Sequence, residues 1–111
     1  MNILQELNNI CETLGLPVES GVFSGKTPSE YIVITPLNDT FTEFADDVPH
    51  TDIQAARLSI YTKDSYVRIK NALVRPLFGA NILITDRRYV EYEEDTQYHH
   101  YEIDTEKNYL F

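Results

Sequence analysis

Tryptophan is absent from the 111 residues, and there are only one cysteine, one methionine and four glycines. A lone Cys11 makes no intrachain disulfide, which excludes a stapled secreted mini-domain. On an apolar helix stripe it reads as a core thiol in a chain made in a reducing cytoplasm. Basic charge is equally scarce. Nine Lys and Arg stand against 18 Asp and Glu, for a net charge of −9, which argues against non-specific binding to nucleic acid or an anionic membrane. No apolar run approaches the roughly 20 residues that span a bilayer. The opening MNILQELNNICETL lacks the basic start and unbroken apolar core of a signal peptide. Gly25 and Lys26 are adjacent, but the GxxxxGK[ST] spacing of a phosphate-binding loop is missing.

What is present is a folded composition, 42% hydrophobic with eight Tyr and five Phe. The length fits one domain over residues 1–111 that is marginal alone and suited to assembly. The charge is unevenly placed. Residues 1–56 hold nine acids and Lys26, residues 57–88 hold seven bases against Asp64 and Asp86, and residues 89–111 hold seven acids and Lys107. This acid–base–acid pattern is either self-complementary between copies of the chain or a set of solvated faces.

Ile3, Leu4, Leu7, Ile10, Cys11 and Leu14 form one helical stripe, with Asn2 as cap and Gly15 and Pro17 as stop. Residues 18–30 read as a loop with a short strand near Val22. YIVITPL (31–37) is an apolar, β-branched strand, and Pro36, without an N–H, belongs at its end or on an edge. A weaker strand covers 40–45, and 45–51, interrupted by Pro49, reads as a loop and a candidate for disorder. From Ala56 the residues alternate: Ala56, Leu58 and Ile60 on one face, Arg57, Ser59 and Tyr61 on the other. A helix capped by Asp64 or Ser65 follows, with Tyr66, Ile69, Leu73 and Leu77 as its stripe. Pro76 predicts a kink or an end, and Gly79 closes the element. Residues 81–85 begin another strand, and 86–88 make a break or bulge. The order α–β–β–β–α–β–β predicts an α+β fold: a mostly antiparallel sheet, two helices packed on one face, and a C-terminal β-hairpin.

The hairpin VEYEEDTQYHHYEID (90–104) holds two of the three histidines among six carboxylates. A turn at 94–97 pairs Glu93 with Tyr98, Tyr92 with His99, Glu91 with His100, Val90 with Tyr101 and Tyr89 with Glu102. His99 and His100 then point to opposite faces, so they do not share an ion. His50 lies far off, and no metal or other cofactor is expected. Glu91 and His100 read as a cross-strand pair. Glu93 and Glu94 diverge, and no nucleophile has a recognisable setting. Folding could still bring distant acids together as a glycosidase-like pair, but the reading is of a non-enzyme. Five tyrosines in the last 23 residues fit an interaction arm or simple sheet cover.

The succession of an N-terminal helix, YIVITPL, a charged link, ARLSIYTKDSYVRIKNALVRPLF and ITDRRYVEYEEDTQYHHYEID resembles small prophage-encoded tail-completion proteins of long-tailed phages, the tail terminators or head–tail joining proteins. The resemblance covers most of the chain and carries no catalytic signature. It implies a structural α+β subunit, assembled in the bacterial cytoplasm into a homo-oligomeric ring, typically a hexamer, at the end of the virion tail tube. Its partners would be copies of itself, the tail tube protein and the head-completion or connector protein, with no membrane and no sequence-specific nucleic acid. Candidate interface residues are Phe41, Phe44, Asp46, Asp47, Arg68, Arg75, Tyr92, Tyr98 and His99. The alternatives are another small prophage neck or head-completion protein, or a non-enzymatic interaction module that works as a monomer or dimer.

Overall fold

The computed structural model describes residues 2–19, 28–45 and 48–110. Among the described residues the chain forms two helices, α1 (Ile3–Thr13) and α2 (Tyr66–Gly79), and five strands. The strands are β1 (Val18–Glu19), β2 (Glu30–Ala45), β3 (Val48–Thr62), β4 (Leu83–Glu93) and β5 (Tyr98–Leu110), in the sheet order β1-β2-β3-β5-β4. All pairings are antiparallel except β1 with β2. The α+β architecture with a C-terminal hairpin is as expected.

Both helices have ends written in the sequence. The Asn2 side chain accepts from the Gln5 N–H while the Gln5 side chain accepts from the Asn2 N–H, a reciprocal cap. At the other end Gly15 takes φ +72°. The Gly15 N–H donates to the Glu12 carbonyl, and the Leu16 N–H to the Cys11 carbonyl. Leu16 and Cys11 are both buried, which completes a Schellman closure. Helix α2 starts at the Ser65 cap and ends by the same device on a different residue. Asn81, at φ +60°, donates to the Phe78 carbonyl, and Ile82 donates to that of Leu77. The helix ends at Gly79 as read, the left-handed position after it being taken by Asn81, and Pro76 does not end it. The bond forfeited at Pro76 is outweighed by burial of Leu73, Leu77 and Ile82, each at most 1% exposed.

Alternation along β3 holds as read. Ala56, Leu58 and Ile60 are fully buried in one core with Ile3, Leu7, Cys11, Ile69, Leu73 and Leu77 of the helices. Ile32 of β2 lies opposite Ile60, and Tyr101 and Ile103 of β5 lie opposite Ile60 and Leu58. The helices thus cover one face of the sheet. Lys107 clamps both of them to β5, its ammonium donating to Glu6 of α1 at 2.9 Å and to the Ala80 carbonyl after α2 at 2.8 Å.

The strands differ from expectation in length. Residues 31–37 and 40–45 belong to one strand, and Ala45 and 48–51 are strand rather than loop, with Ala45 opposite Val48. The short strand expected near Val22 lies outside the described residues, and a parallel strand forms at Val18–Glu19 instead. β2 runs through Pro36 because β1 pairs only with Ile32 and Val33. Past that point β2 has no outer neighbour among the described residues, so the missing N–H breaks no ladder bond there. A register shift at Leu37 then changes which residues face the helical side, from Ile32, Ile34 and Pro36 to Asp39 and Phe41. Beyond Thr51, opposite Leu110, β3 loses its β5 neighbour, and β2 and β3 continue as a two-stranded arm. The molecule measures 54 × 28 × 25 Å, as strands of about 15 residues at 3.3 Å each require.

Two substitutions test this account. Leu73→Ala should lower unfolding free energy by about 2–5 kcal/mol in urea titration, because Leu73 is wholly buried. Asn81→Val should cost about 1–2 kcal/mol, whereas Asn81→Gly should be near neutral, since only the former opposes a positive φ.

Candidate functional site

The face of the sheet away from the helices carries the densest polar chemistry. It is built by side chains of opposite character placed in register. Arg57 of β3 lies opposite Asp104 of β5, Ser59 opposite Glu102, and Tyr61 opposite His100. From β4, Asp86 faces Asp104 and Arg88 faces Glu102. The Arg57 guanidinium grips Asp104 with two bonds, of 2.8 and 3.2 Å. Arg88 donates to Glu102 at 2.5 Å, to Asp86 at 2.7 Å and to Asp104 at 3.3 Å. Two guanidiniums and three carboxylates thus interleave across three strands. The Arg57 guanidinium beside Asp104 holds that carboxyl below its usual range, burial opposing it and Arg88 assisting.

Beside this network the rings of Tyr31, Tyr61 and His100, in register across β2, β3 and β5, form a stack. Centroids are 4.8 Å apart for Tyr31–Tyr61 and 4.3 Å for Tyr61–His100. Tyr98 meets Tyr31 edge-on at 5.5 Å, donates its hydroxyl to the Pro28 carbonyl and is 5% exposed. These tyrosines, Lys63 and the β4–β5 turn border an open cleft of about 650 Å³. Burial, with the neighbouring Tyr61, Tyr98 and Glu93, pushes the Tyr31 phenol up to about 12.

His99 and His100 do part to opposite faces. His99 packs on the helix-covered side, accepting from or donating to the Tyr89 hydroxyl at 3.0 Å and lying 4.8 Å from the Tyr92 ring. There Tyr66 of α2 stacks on Tyr101 and meets Tyr89. The hairpin register follows the expected pairing from Glu93–Tyr98 to Glu91–His100 and then slips. Val90 is bulged out, so Tyr89, not Val90, faces Tyr101, and Arg88 rather than Tyr89 faces Glu102. A second shift falls at Thr85, just ahead of the break expected at 86–88. Glu91 is the register partner of His100, but the carboxylate against its Nε2 is that of Glu102, at 3.5 Å. This Nε2 is buried without a hydrogen bond among the described residues.

The candidate interface residues do not come together. Phe41 stands at the base of the arm opposite Asp52, 47% exposed, and Phe44 holds the register position opposite Pro49. Asp46 and Asp47 lie outside the described residues. Arg68 is bonded to Glu30 at 2.6 Å, and Arg75 is exposed on α2. Tyr92 is exposed at the hairpin, whereas Tyr98 is buried within the chain. The charged network itself escaped sequence reading. Its only local trace is the period-two spacing of Arg57, Ser59 and Tyr61 and of His100, Glu102 and Asp104, and which strands pair is a non-local matter.

No protein-family model matches the chain, and no curated protein matches it. Among solved structures it is similar to a chain in the virion of a native gene transfer agent particle. The TM-score is 0.58 at 14% identity, over 97% of this chain and 91% of that one. The fold is shared.

Asp104 titrates lower in the folded chain than in the unfolded one. Its contribution to stability is therefore full above the usual aspartate value near 3.8 and is lost as pH falls through the lowered folded value. Thermal midpoints of wild type and Asp104→Asn should converge as pH drops from about 6 to about 2, the variant showing the shallower acid limb. His100→Phe should leave the midpoint at pH 7 unchanged or raised. The substitution keeps the stack on Tyr61 and removes a buried nitrogen that makes no hydrogen bond.

Proposed function

We propose that this chain is a structural, non-catalytic subunit of a phage-like particle, acting as a ring at the end of the tail tube that stops tube growth and helps head and tail join. The observation that carries the reading is the fold shared along nearly the whole chain with a component of a virion. The tail-terminator assignment adds the resemblance of the sequence to that group. The open sheet face supports a structural role. Its carboxylates are engaged by arginines, which is the chemistry of a rigid surface rather than of a proton carrier. A two-stranded arm reaching beyond the helices supports assembly, because a lone hairpin is marginally stable until something packs against it.

Particles produced without this protein test the reading by electron microscopy. The expected result is tails of abnormal length that fail to join heads. Tails of normal length on filled heads would overturn the terminator role. Normal tails that merely lack heads would move the protein to a head-completion position in the neck.

A further inference from the structure

Internal pairing accounts for much of the acid–base–acid pattern, since Arg57, Arg88, Arg68 and Lys107 all have carboxylate partners. Arg75 of α2 and Arg87 of β4 are different. Both are exposed, and neither forms an ion pair among the described residues. Arg87 lines an apolar cleft of about 400 Å³ between α2 and β4 together with Val74, Phe78, Leu83 and Ile84, and Arg75 follows Val74 in α2. Phe78 and Leu83 are 59% and 56% exposed there. Large aliphatic and aromatic side chains left open beside unpaired guanidiniums mark a contact surface.

The chain carries a surface of opposite charge and like polarity. At the base of the arm, on the helix-side face, Gln54 accepts from the first N–H of α1 and donates to Asp52. Phe41 and Asp52 sit directly opposite each other there, with Asp39 opposite Gln54 and Val48 further out. Phe41 and Val48 are half exposed. Residues 39–42 and 48–54 contain Asp39 and Asp52 and no Lys or Arg. The cleft lies along the β4 edge of the sheet and the arm grows from the β2 side. A contact between them uses two different patches and is head-to-tail, the kind that closes a ring when the rotation allows.

We propose that the base of the arm of one subunit docks in the α2–β4 cleft of the next, Phe41 against Phe78 and Leu83, with Asp52 and Asp39 meeting Arg87 and Arg75. The inference rests on the ring reading above and names its contact.

The test is disulfide trapping with Phe41→Cys/Phe78→Cys, in purified particles and in the isolated protein at high concentration. Both positions are exposed and Cys11 is buried, so the fold should survive, as an unchanged thermal midpoint would show. The expected result is a ladder of cross-linked multimers, with neither single variant giving one. Arg87→Glu should cut the cross-linked fraction about tenfold or more, and Asp52→Arg in the same chain should restore it. Absence of the ladder in both settings, or a ladder indifferent to Arg87→Glu, overturns the contact. Detection of the protein in particles by mass spectrometry is read separately. Its absence there defeats the virion reading, while trapping in the isolated protein still decides whether arm and cleft meet. Capture of some other virion protein at Phe78→Cys, with no multimer of this chain, assigns the cleft to that partner and overturns the proposal.

Discussion

Strand β3 is hydrogen-bonded on both sides, to β2 and to β5, so its alternation decides which side of its neighbours meets the helices. Ala56, Leu58 and Ile60 commit one face to the core, and the residues opposite them, Ile32, Tyr101 and Ile103 among them, must follow. The other face then falls to Arg57, Ser59 and Tyr61. Those three positions call up the carboxylates and rings that answer them from β5. One period-two segment thus organises both the apolar core and the charged network, and a one-residue slip would exchange them.

How much of this was legible depends on the range of the interaction. The caps at Asn2 and Gly15, the stripes of both helices and the alternation after Ala56 are local, and each is where residue chemistry places it. The departures are non-local. Pro36 is met on an edge, one of the two places its missing N–H allows, but that the strand runs on to Ala45 depends on where β1 stops pairing. Pro49 reads as a loop former, yet it lies past Leu110, where β3 has lost one partner. Pro76 reads as a kink or an end, and the end is ruled out once the burial of Leu77 and Ile82 beyond it is counted. The bulges at Leu37, Thr85 and Val90 have no glycine to announce them. A single bulge, at Val90, was enough to displace the expected partners of Tyr89 and Tyr101.

The same distinction applies to charge. Block counting finds acid, base and acid along the chain but cannot say which blocks neutralise each other. The register does. It pairs Arg57 and Arg88 with Glu102 and Asp104 inside the subunit, and leaves Arg75 and Arg87 outside it. The tyrosines divide likewise: Tyr98 and Tyr101 are buried within the subunit, while Tyr92 remains at the surface. A tyrosine-rich hairpin is therefore both sheet cover and surface, and only the partner strand says which residue is which.

The bulges in β4 also bear on what can add to the edge of the sheet. β4 is the outermost strand on its side of the sheet, and an unpaired strand of eleven residues would ordinarily invite a foreign strand to add on. Its ladder with β5 is interrupted at Thr85 and at Val90, leaving paired stretches of only Leu83–Ile84, Asp86–Tyr89 and Glu91–Glu93. An incoming strand would find no long, flat row of donors and acceptors to copy. Strand addition at this edge is thereby disfavoured, and contact through side chains is the mode the edge leaves open.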